Sequence, residues 1–312
     1  MAGLRTIFMG TPEFSVPCLE KLNEQTEIIA VITQPDKRQG RGQHIVFSPV
    51  KQFAVEHGLE VLQPDKIKND EPFMKKLEEM KPDLIVVVAF GQILPKRVLD
   101  IPRLGCVNVH ASLLPRYRGA APMQWSLING ETKTGVTTML MDVGLDTGDM
   151  LLKSEVAIDE NMNLEQLHDS LMVCGADLLA ETVVALENGT VQPEKQHDEL
   201  SNYSPMITKD TGKIDWSKDA QTIHDLVRGL DSWPGAYTSY SGKIFKIWQT
   251  RKTAAVAPAK PGEIVEINKD GLVVGTGNGL LTITELQAPG KKRMKAADYL
   301  RGNKMDVHSM FE

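Results

Sequence analysis

Apolar and polar positions follow different patterns in the two parts of this chain. In residues 1–189, short runs rich in Val and Ile alternate with stretches whose apolar residues recur at helical spacing. This alternation is typical of an α/β fold, in which a mostly parallel, Rossmann-like sheet has helices on both faces. The pattern predicts strands over 4–9, 27–33, 84–89 and 106–110, a pair of strands over 134–140 and 150–156, and helices over 16–23, 50–57, 71–80, 121–129 and 164–187.

The last third of the chain is patterned differently. The polar segment 190–208, which includes Pro193 and Pro205, predicts a linker. After a helix expected over 220–230, short strand-like runs alternate with glycine-containing turns, a pattern typical of a small OB-like β-barrel. Its strands are predicted over 236–240, 243–250, 262–267, 271–274 and 280–286. We expect an α/β domain over 1–189, a linker over 190–208 and a β-barrel domain over 209–312.

The composition excludes several classes of protein. No apolar run approaches the roughly 20 residues that span a bilayer, and the N-terminus has no signal-peptide pattern, so we expect a cytoplasmic protein without a membrane partner. Three scattered cysteines, Cys18, Cys106 and Cys174, form no Cys-x-x-Cys pair, which argues against a disulfide framework and a zinc ribbon. We expect all three to be buried as small apolar residues.

Charge is distributed unevenly. Residues 1–208 hold 19 Lys and Arg against 29 Asp and Glu, whereas residues 209–312 hold 16 against 12. Within the acidic part, the long loop 34–44 carries Lys37, Arg38 and Arg41. Positive patches of this kind attract phosphate, although a solvated surface would show the same asymmetry.

The predicted strand 106–110 delivers an amide and an imidazole to one face, because alternate residues of a strand share a face. Asn108 can polarise a carbonyl and His110 can move a proton near neutral pH, which is the minimum equipment for acyl transfer to an amine. A carboxylate should complete the site, and the glycine-rich loop 141–149 offers Asp146. Polar residues at a strand end often only satisfy backbone groups, but here several such features coincide.

Other chemistries fit the residues less well. The turn 9–14 lacks the Gly-x-Gly-x-x-Gly fingerprint, so a nicotinamide or flavin cofactor is not expected. Ser112 lies near His110 but has no Gly-x-Ser-x-Gly elbow. His110 and Asp146 could be two metal ligands, yet no His-x-x-x-His motif or cysteine cluster supplies the others, so no metal is expected.

Three motifs together carry a family resemblance. The run 108–119, the loop 141–149 and the turn 10–14 resemble those of 10-formyltetrahydrofolate-dependent formyltransferases, over nearly the full length of the chain. The resemblance implies that Asn108, His110 and Asp146 are catalytic, that the domain over 1–189 holds them, and that 10-formyltetrahydrofolate is the formyl donor. It also implies a folate site formed by Ser112, Leu113, Leu114, Pro115, Phe90, Gly91, Gln92, Ile93, Leu94, Asp142, Val143, Gly144 and Leu145.

The acceptor is less closely specified, since such enzymes act on purine precursors, sugar amines or an aminoacyl-tRNA. The basic loop and the basic barrel favour tRNA, and the acceptor that the resemblance implies is initiator methionyl-tRNA. Its contacts are expected at Phe14, Lys37, Arg38 and Arg41, with Arg41 near the acceptor end. A UDP-amino sugar or another small amine stays an alternative, as does a non-catalytic RNA-binding protein. We expect a monomer.

Overall fold

The computed structural model describes residues 3–39, 44–253 and 259–312. The chain forms two compact units, and each consists of several separate segments. The first unit comprises Met1–Gly119, Gly135–Val156 and His168–Tyr203, and the second comprises Ala120–Thr134, Ala157–Leu167 and Ser204–Glu312. Two segments from within the first 189 residues therefore belong to the C-terminal unit. The linker boundaries at 190 and 208 stay a prediction.

The first unit contains the α/β sheet that the sequence predicts. The seven strands are ordered β10-β9-β7-β6-β1-β2-β5, and β7, β6, β1, β2 and β5 run parallel to one another. Strand β9 runs antiparallel to β7. Their bounds are β1 (Arg5–Gly10), β2 (Glu27–Ile32), β5 (Val61–Leu62), β6 (Leu84–Val88), β7 (Cys106–His110), β9 (Lys133–Leu140) and β10 (Met150–Ala157). All five residues of β6 are buried, as expected for a central strand covered on both faces.

Helices lie between and after these strands along the chain. They are α1 (Val16–Gln25), α2 (Pro49–Glu56), α3 (Glu71–Met80), α4 (Lys96–Leu99), α5 (Pro122–Ile128) and α6 (Leu164–Glu187). Side chains at two helix starts satisfy backbone donors: Ser48 Oγ accepts from Lys51 N, and Asp70 Oδ1 accepts from Phe73 N. The short helix α4 was not predicted, because one helical turn contains too few apolar repeats to show a period.

The prediction of a single loop over 34–44 was wrong in part. Residues on its two sides form short antiparallel strands, β3 (Lys37–Gln39) and β4 (His44–Val46), in which Lys37 pairs with Val46. Ile45 and Val46 favour extended backbone, and pairing satisfies peptide groups that a loop would leave to water. Two further strands of two residues each are β8 (Arg118–Gly119) and β11 (Tyr203–Ser204).

The second unit contains an antiparallel sheet with the strand order β12-β13-β16-β15-β14. Its strands are β12 (Ala236–Tyr240), β13 (Lys243–Thr253), β14 (Ile264–Asn268), β15 (Gly271–Gly275) and β16 (Leu280–Gln287), and β17 (Met294–Lys295) pairs with β16. The C-terminal residues join the two sheet edges, because Glu312 exchanges backbone hydrogen bonds with Ser239 of β12 while Phe311 N donates to Gly262 O beside β14. The predicted barrel is thereby closed.

Two helices accompany this sheet. Asp219 precedes helix α7 (Ala220–Gly229) and caps it, because its side chain accepts from Thr222 N. The helix packs Ile223 and Val227 into the barrel core. Helix α8 (Ala296–Gly302) was not predicted, since its seven residues give little periodic signal. Among the residues that the structure describes, no helix is long and apolar enough to cross a membrane.

Candidate active site

Asn108 and His110 lie at the carboxyl end of β7, between β6 and β9. In the sheet register, Asn108 is opposite Val87 on one side and Met139 on the other, and His110 is opposite Thr137. The two side chains share a face because they are two residues apart on a strand. The half-buried Asn108 side chain makes no hydrogen bond to any residue within 3–39, 44–253 or 259–312, so its amide can serve a ligand.

The imidazole of His110 is held through one nitrogen. Its Nε2 atom lies 2.9 Å from the main-chain oxygen of Tyr117, and the residue is only 6% exposed. Because a carbonyl oxygen only accepts, Nε2 must be the donor. The other nitrogen, Nδ1, lies 3.7 Å from Asp146 Oδ2, beyond direct hydrogen-bond distance. Nδ1 is therefore the nitrogen that can exchange a proton.

Asp146 is placed by the loop between β9 and β10. Its Oδ2 atom accepts a hydrogen bond of 2.8 Å from Gly119 N, and its backbone lies in the left-handed region at φ 54°. Asp tolerates that region better than most residues do. Nearby, Asp142 Oδ1 accepts from Gly144 N and from Thr147 Oγ1, which fixes the fold of the loop.

Strand direction makes the position of Asp146 difficult to foresee. Since β9 is antiparallel to β7, the loop leaves β9 beside Cys106, where Met141 N donates to Cys106 O. It then has to return along β7 to reach His110. Gly148 permits a close approach during this return, because a Cβ atom there would lie 1.7 Å from Leu140 O.

The turn after β7 has a fixed shape. Ser112 is fully buried, its hydroxyl donates to Arg116 O at 2.7 Å, and its carbonyl accepts from Thr137 Oγ1 at 2.7 Å. Thr137 Oγ1 in turn accepts from Leu114 N, and the Leu114–Pro115 peptide is cis. A hydroxyl that is buried and already donating is poorly placed as a nucleophile, which agrees with the absence of a hydrolase motif.

The residues expected to bind folate divide by exposure. Phe90, Leu94, Ser112 and Leu114 are buried, and Phe90 O accepts from Gln34 Nε2. The Oε1 atom of Gln92 accepts a hydrogen bond from Ile67 N. Three apolar side chains of the set are exposed, in the order Ile93 (85%), Val143 (73%) and Leu145 (56%). These three side chains are therefore open to contact with an apolar ligand group.

The residues expected to bind the acceptor are described only in part. Lys37 is exposed on β3, and Arg38 belongs to the same strand. Arg41 lies outside the described residues. Phe14 is only 5% exposed, and its ring lies 5.4 Å from that of His168, so little of its surface is open to an acceptor.

Cysteine chemistry plays no part in this site. Burial raises the pKa of Cys18 and of Cys106 to about 12, so both thiols stay protonated near neutral pH. Cys18 and Cys106 are buried as expected, whereas the expectation was wrong for Cys174, which is half-buried. Among the described residues, no three His, Cys, Asp or Glu side chains are grouped so that they could hold a metal ion.

Sequence reasoning missed several residues that shape the site. Tyr117 holds His110 through its backbone oxygen, and Gln196 Nε2 donates to both Asp146 O and Gly148 O. Asn202 Oδ1 accepts from Tyr117 N. No sequence signal marks Gln196 or Asn202, since both lie in a polar, aperiodic segment and each contact joins residues 48 or more positions apart.

Comparison with known proteins follows the same two parts of the chain. A family model described as formyl transferase matches residues 4–183, and a model described as formyl transferase, C-terminal domain, matches residues 206–304. The methionyl-tRNA formyltransferase of Clostridium acetobutylicum is 52% identical over 303 residues, which are 97% of this chain and 98% of that protein. The enzyme of the same name from Geotalea uraniireducens is 54% identical over 306 residues, with 98% and 97% covered.

Solved structures resemble the chain more distantly. The N-formyltransferase of Helicobacter canadensis, determined with folinic acid and dTDP-3-aminofucose, has a TM-score of 0.69 at 20% identity over 92% of this chain and 100% of its own. HypX from Aquifex aeolicus, determined with tetrahydrofolic acid, has a TM-score of 0.61 at 17% identity over 99% of this chain and 51% of its own. Likenesses at this identity support the fold.

Proposed function

The chain belongs to the formyl transferase family, and we propose that it transfers the formyl group of 10-formyltetrahydrofolate to the methionine amino group of initiator methionyl-tRNA. The donor follows from the family. The acceptor is supported by identity of 50% or more with methionyl-tRNA formyltransferases over nearly the whole chain, both units included. By making formylated initiator tRNA, the protein would support translation initiation.

The proposed mechanism depends on the Nδ1 atom of His110 and on the Asn108 amide. The neutral methionine amine attacks the formyl carbon, a new C–N bond forms, and the carbonyl oxygen becomes anionic. The Asn108 amide, which has no other hydrogen bond within the described residues, donates to this oxygen, and Nδ1 of a doubly protonated His110 donates to it as well. The oxyanion then re-forms the C=O bond as the bond from carbon to N10 breaks. The attacking nitrogen gives up one proton, N10 takes up one, and tetrahydrofolate leaves.

Asp146 acts on His110 through charge. When the ring holds its second proton, the carboxylate 3.7 Å away stabilises the positive charge by direct attraction. The exposure of the Asp146 side chain is 14%, so water screens this attraction only weakly. Gly119 N fixes one carboxylate oxygen and thereby orients the charge toward Nδ1.

Different residues are assigned to the two substrates. We assign the exposed apolar side chains of Ile93, Val143 and Leu145 to contacts with the folate rings. For tRNA, we assign Lys37, Arg38, Arg41 and the basic C-terminal barrel to phosphate contacts, because the rest of the chain is acidic. Phe14 would meet the acceptor only at its exposed edge. We propose that the enzyme works as a monomer in the cytoplasm, where charged tRNA is found.

One experiment separates the candidate acceptors. Purified protein is incubated with 10-formyltetrahydrofolate and charged initiator tRNA, and a UDP-amino sugar and glycinamide ribonucleotide are offered in parallel. We expect formyl-methionyl-tRNA as the main product. Formylation of the sugar amine alone would replace the proposed acceptor, and tRNA binding without any formyl transfer would favour the non-catalytic RNA-binding alternative.

A further inference from the structure

We infer that Gln196 and Asn202 are positioning residues, which fix the position of Asp146 relative to His110. The inference rests on the proposed function, because it deepens the role of the same site. Both residues belong to a segment of residues 194–202, here called the strap, which the polar sequence pattern marks only as a linker. The strap and the groups that it holds all lie within the first unit.

Gln196 uses both ends of its amide, one toward the Asp146 loop and the other toward Arg118. Its Nε2 atom donates to Asp146 O and to Gly148 O, both at 2.8 Å, and its Oε1 atom accepts from Arg118 Nε at 2.8 Å. Arg118 itself is buried, with 9% exposed. A primary amide that meets two acceptors and one donor at these distances has a fixed orientation. Gln196 therefore acts as a bracket between the Asp146 loop and the chain after β7.

The Asp146 loop needs such a bracket because its backbone is constrained. Asp146 lies at φ 54°, a region that costs free energy for a residue with a side chain. Gly148 lies too close to Leu140 O to accept a Cβ atom. Releasing Asp146 O and Gly148 O would let the loop relax, and Asp146 Oδ2 would then move away from His110 Nδ1.

Asn202 holds the other half of the site through Tyr117. Its Oδ1 atom accepts from Tyr117 N at 2.6 Å, and its main-chain oxygen accepts from Arg118 N at 3.1 Å. Tyr117 lies at φ 60°, which is uncommon for a bulky residue. These bonds hold Tyr117 in that conformation, and its oxygen receives the Nε2 hydrogen bond of His110.

The start of the strap is anchored beside the same loop. Glu194 exchanges two backbone hydrogen bonds of 2.8 Å with Met150, the first residue of β10. One continuous segment is thus fixed at its start to the strand after the Asp146 loop, in its middle to the loop itself, and at its end to the turn that holds His110. This arrangement sets the distance between Nδ1 and Oδ2.

Gln196→Glu tests the bracket. The substitution keeps the shape and the acceptor for Arg118, but it places a carboxylate oxygen against two carbonyl oxygens. We expect kcat to fall by about tenfold or more while KM for both substrates stays within about twofold, since small displacements of reacting groups are costly. The pH–rate profile should also be displaced. Gln192→Glu is the matched control, because it adds the same charge at an exposed position shortly before the strap in the same chain.

Asn202→Leu and Asn202→Asp test the second anchor. Leucine removes the acceptor for Tyr117 N, whereas aspartate keeps an oxygen in the same place. We expect kcat to fall in the leucine variant and to be largely recovered in the aspartate variant, when the two are compared at equal concentrations of folded protein. Equal loss in both variants would mean that the acceptor oxygen is not what positions His110.

Amide hydrogen exchange tests the geometry without relying on turnover. The Gly119 amide, which donates to Asp146 Oδ2, should exchange faster in Gln196→Glu, and the Tyr117 amide should exchange faster in Asn202→Leu. Unchanged exchange together with unchanged kcat and pH–rate curves would overturn the inference. If wild-type protein does not formylate methionyl-tRNA but both amides respond, the proposed function fails and the positioning stands.

Discussion

His110 Nε2 lies 2.9 Å from the main-chain oxygen of Tyr117, so the proton on that nitrogen is committed to a backbone acceptor. The ring is therefore fixed in orientation and in the identity of its available nitrogen. Chemistry at this site has to pass through Nδ1, on the side where Asp146 lies. Substitutions at Asn108 and at Asp146 should therefore affect the reaction in different ways.

Asn108→Ala should reduce kcat by about 10²–10³-fold, as is typical when one donor to an oxyanion is removed. Stability should change little, because the Asn108 amide makes no hydrogen bond within the described residues. Single-turnover kinetics and the midpoint of thermal unfolding measure the two quantities. Turnover close to that of wild type would remove Asn108 from the catalytic role.

Asp146→Asn should slow the reaction and displace its pH–rate profile. Asparagine can keep an oxygen toward Gly119 N, so the loop is retained while the charge facing His110 Nδ1 is lost. The profile of kcat against pH is the measurement. A lower rate with an unchanged profile would show that the Asp146 charge does not act on His110.

Lys37, Arg38 and Arg41, replaced together by alanine, should weaken activity on methionyl-tRNA and flatten its dependence on salt. The slope of log affinity against log salt falls by nearly one for every phosphate that is no longer neutralised by a cation. Alanine at the exposed Lys66, Lys68 and Lys75 removes the same charge from the same unit and is the control. If both triple variants respond alike, the effect is one of net charge and not of a local tRNA contact.

His224 should make the protein less stable in mild acid. Burial lowers its pKa below the ordinary 6.5, and its Nδ1 lies 2.9 Å from Thr250 Oγ1. The unfolded chain therefore binds this proton more tightly than the folded one. The contribution of neutral His224 to the free energy of unfolding is complete above pH 6.5. It is lost as the pH falls from 6.5 through the lower pKa that His224 has in the folded protein. Urea unfolding at several pH values should show a flatter dependence for His224→Gln than for wild type in this window.

Cys18 and Cys106 should resist thiol reagents at pH 8, since burial raises the pKa of both to about 12. The half-buried Cys174 should be the first to react in the native protein. Counting modified thiols by intact mass before and after denaturation tests this order. Rapid labelling of Cys106 in folded protein would contradict the close packing around β7.

Much of the fold could be predicted because long elements repeat their pattern several times. Strand β7 and helices α3 and α6 have the predicted bounds, and the barrel strands differ by a few residues at their ends. Short elements such as α4 and α8 contain too few residues to show a period. The pairing of β3 with β4 depends on backbone hydrogen bonds, which the identity of side chains specifies poorly.

Strand periodicity accounts only for the part of the candidate site that one strand carries, and Asp146 was predicted from its glycine-rich loop without any indication of its path. Alternation alone places Asn108 and His110 on one face, and the strand does so in the structure. The return of the Asp146 loop depends on the antiparallel direction of β9, which is a property of topology. The roles of Gln196 and Asn202 depend on contacts between distant positions, and these leave no local pattern in the chain.

The division of the chain into interleaved segments affects how it can be synthesised and cut. Every segment of the first unit has been translated once residue 203 is reached, whereas Ala120–Thr134 and Ala157–Leu167 must wait for Ser204–Glu312. On the ribosome, these two early segments therefore lack the rest of their unit while more than a hundred further residues are made. A chain cut near residue 204 yields one fragment that carries the complete first unit together with two segments lacking their partner, and the other fragment cannot rebuild the second unit by itself.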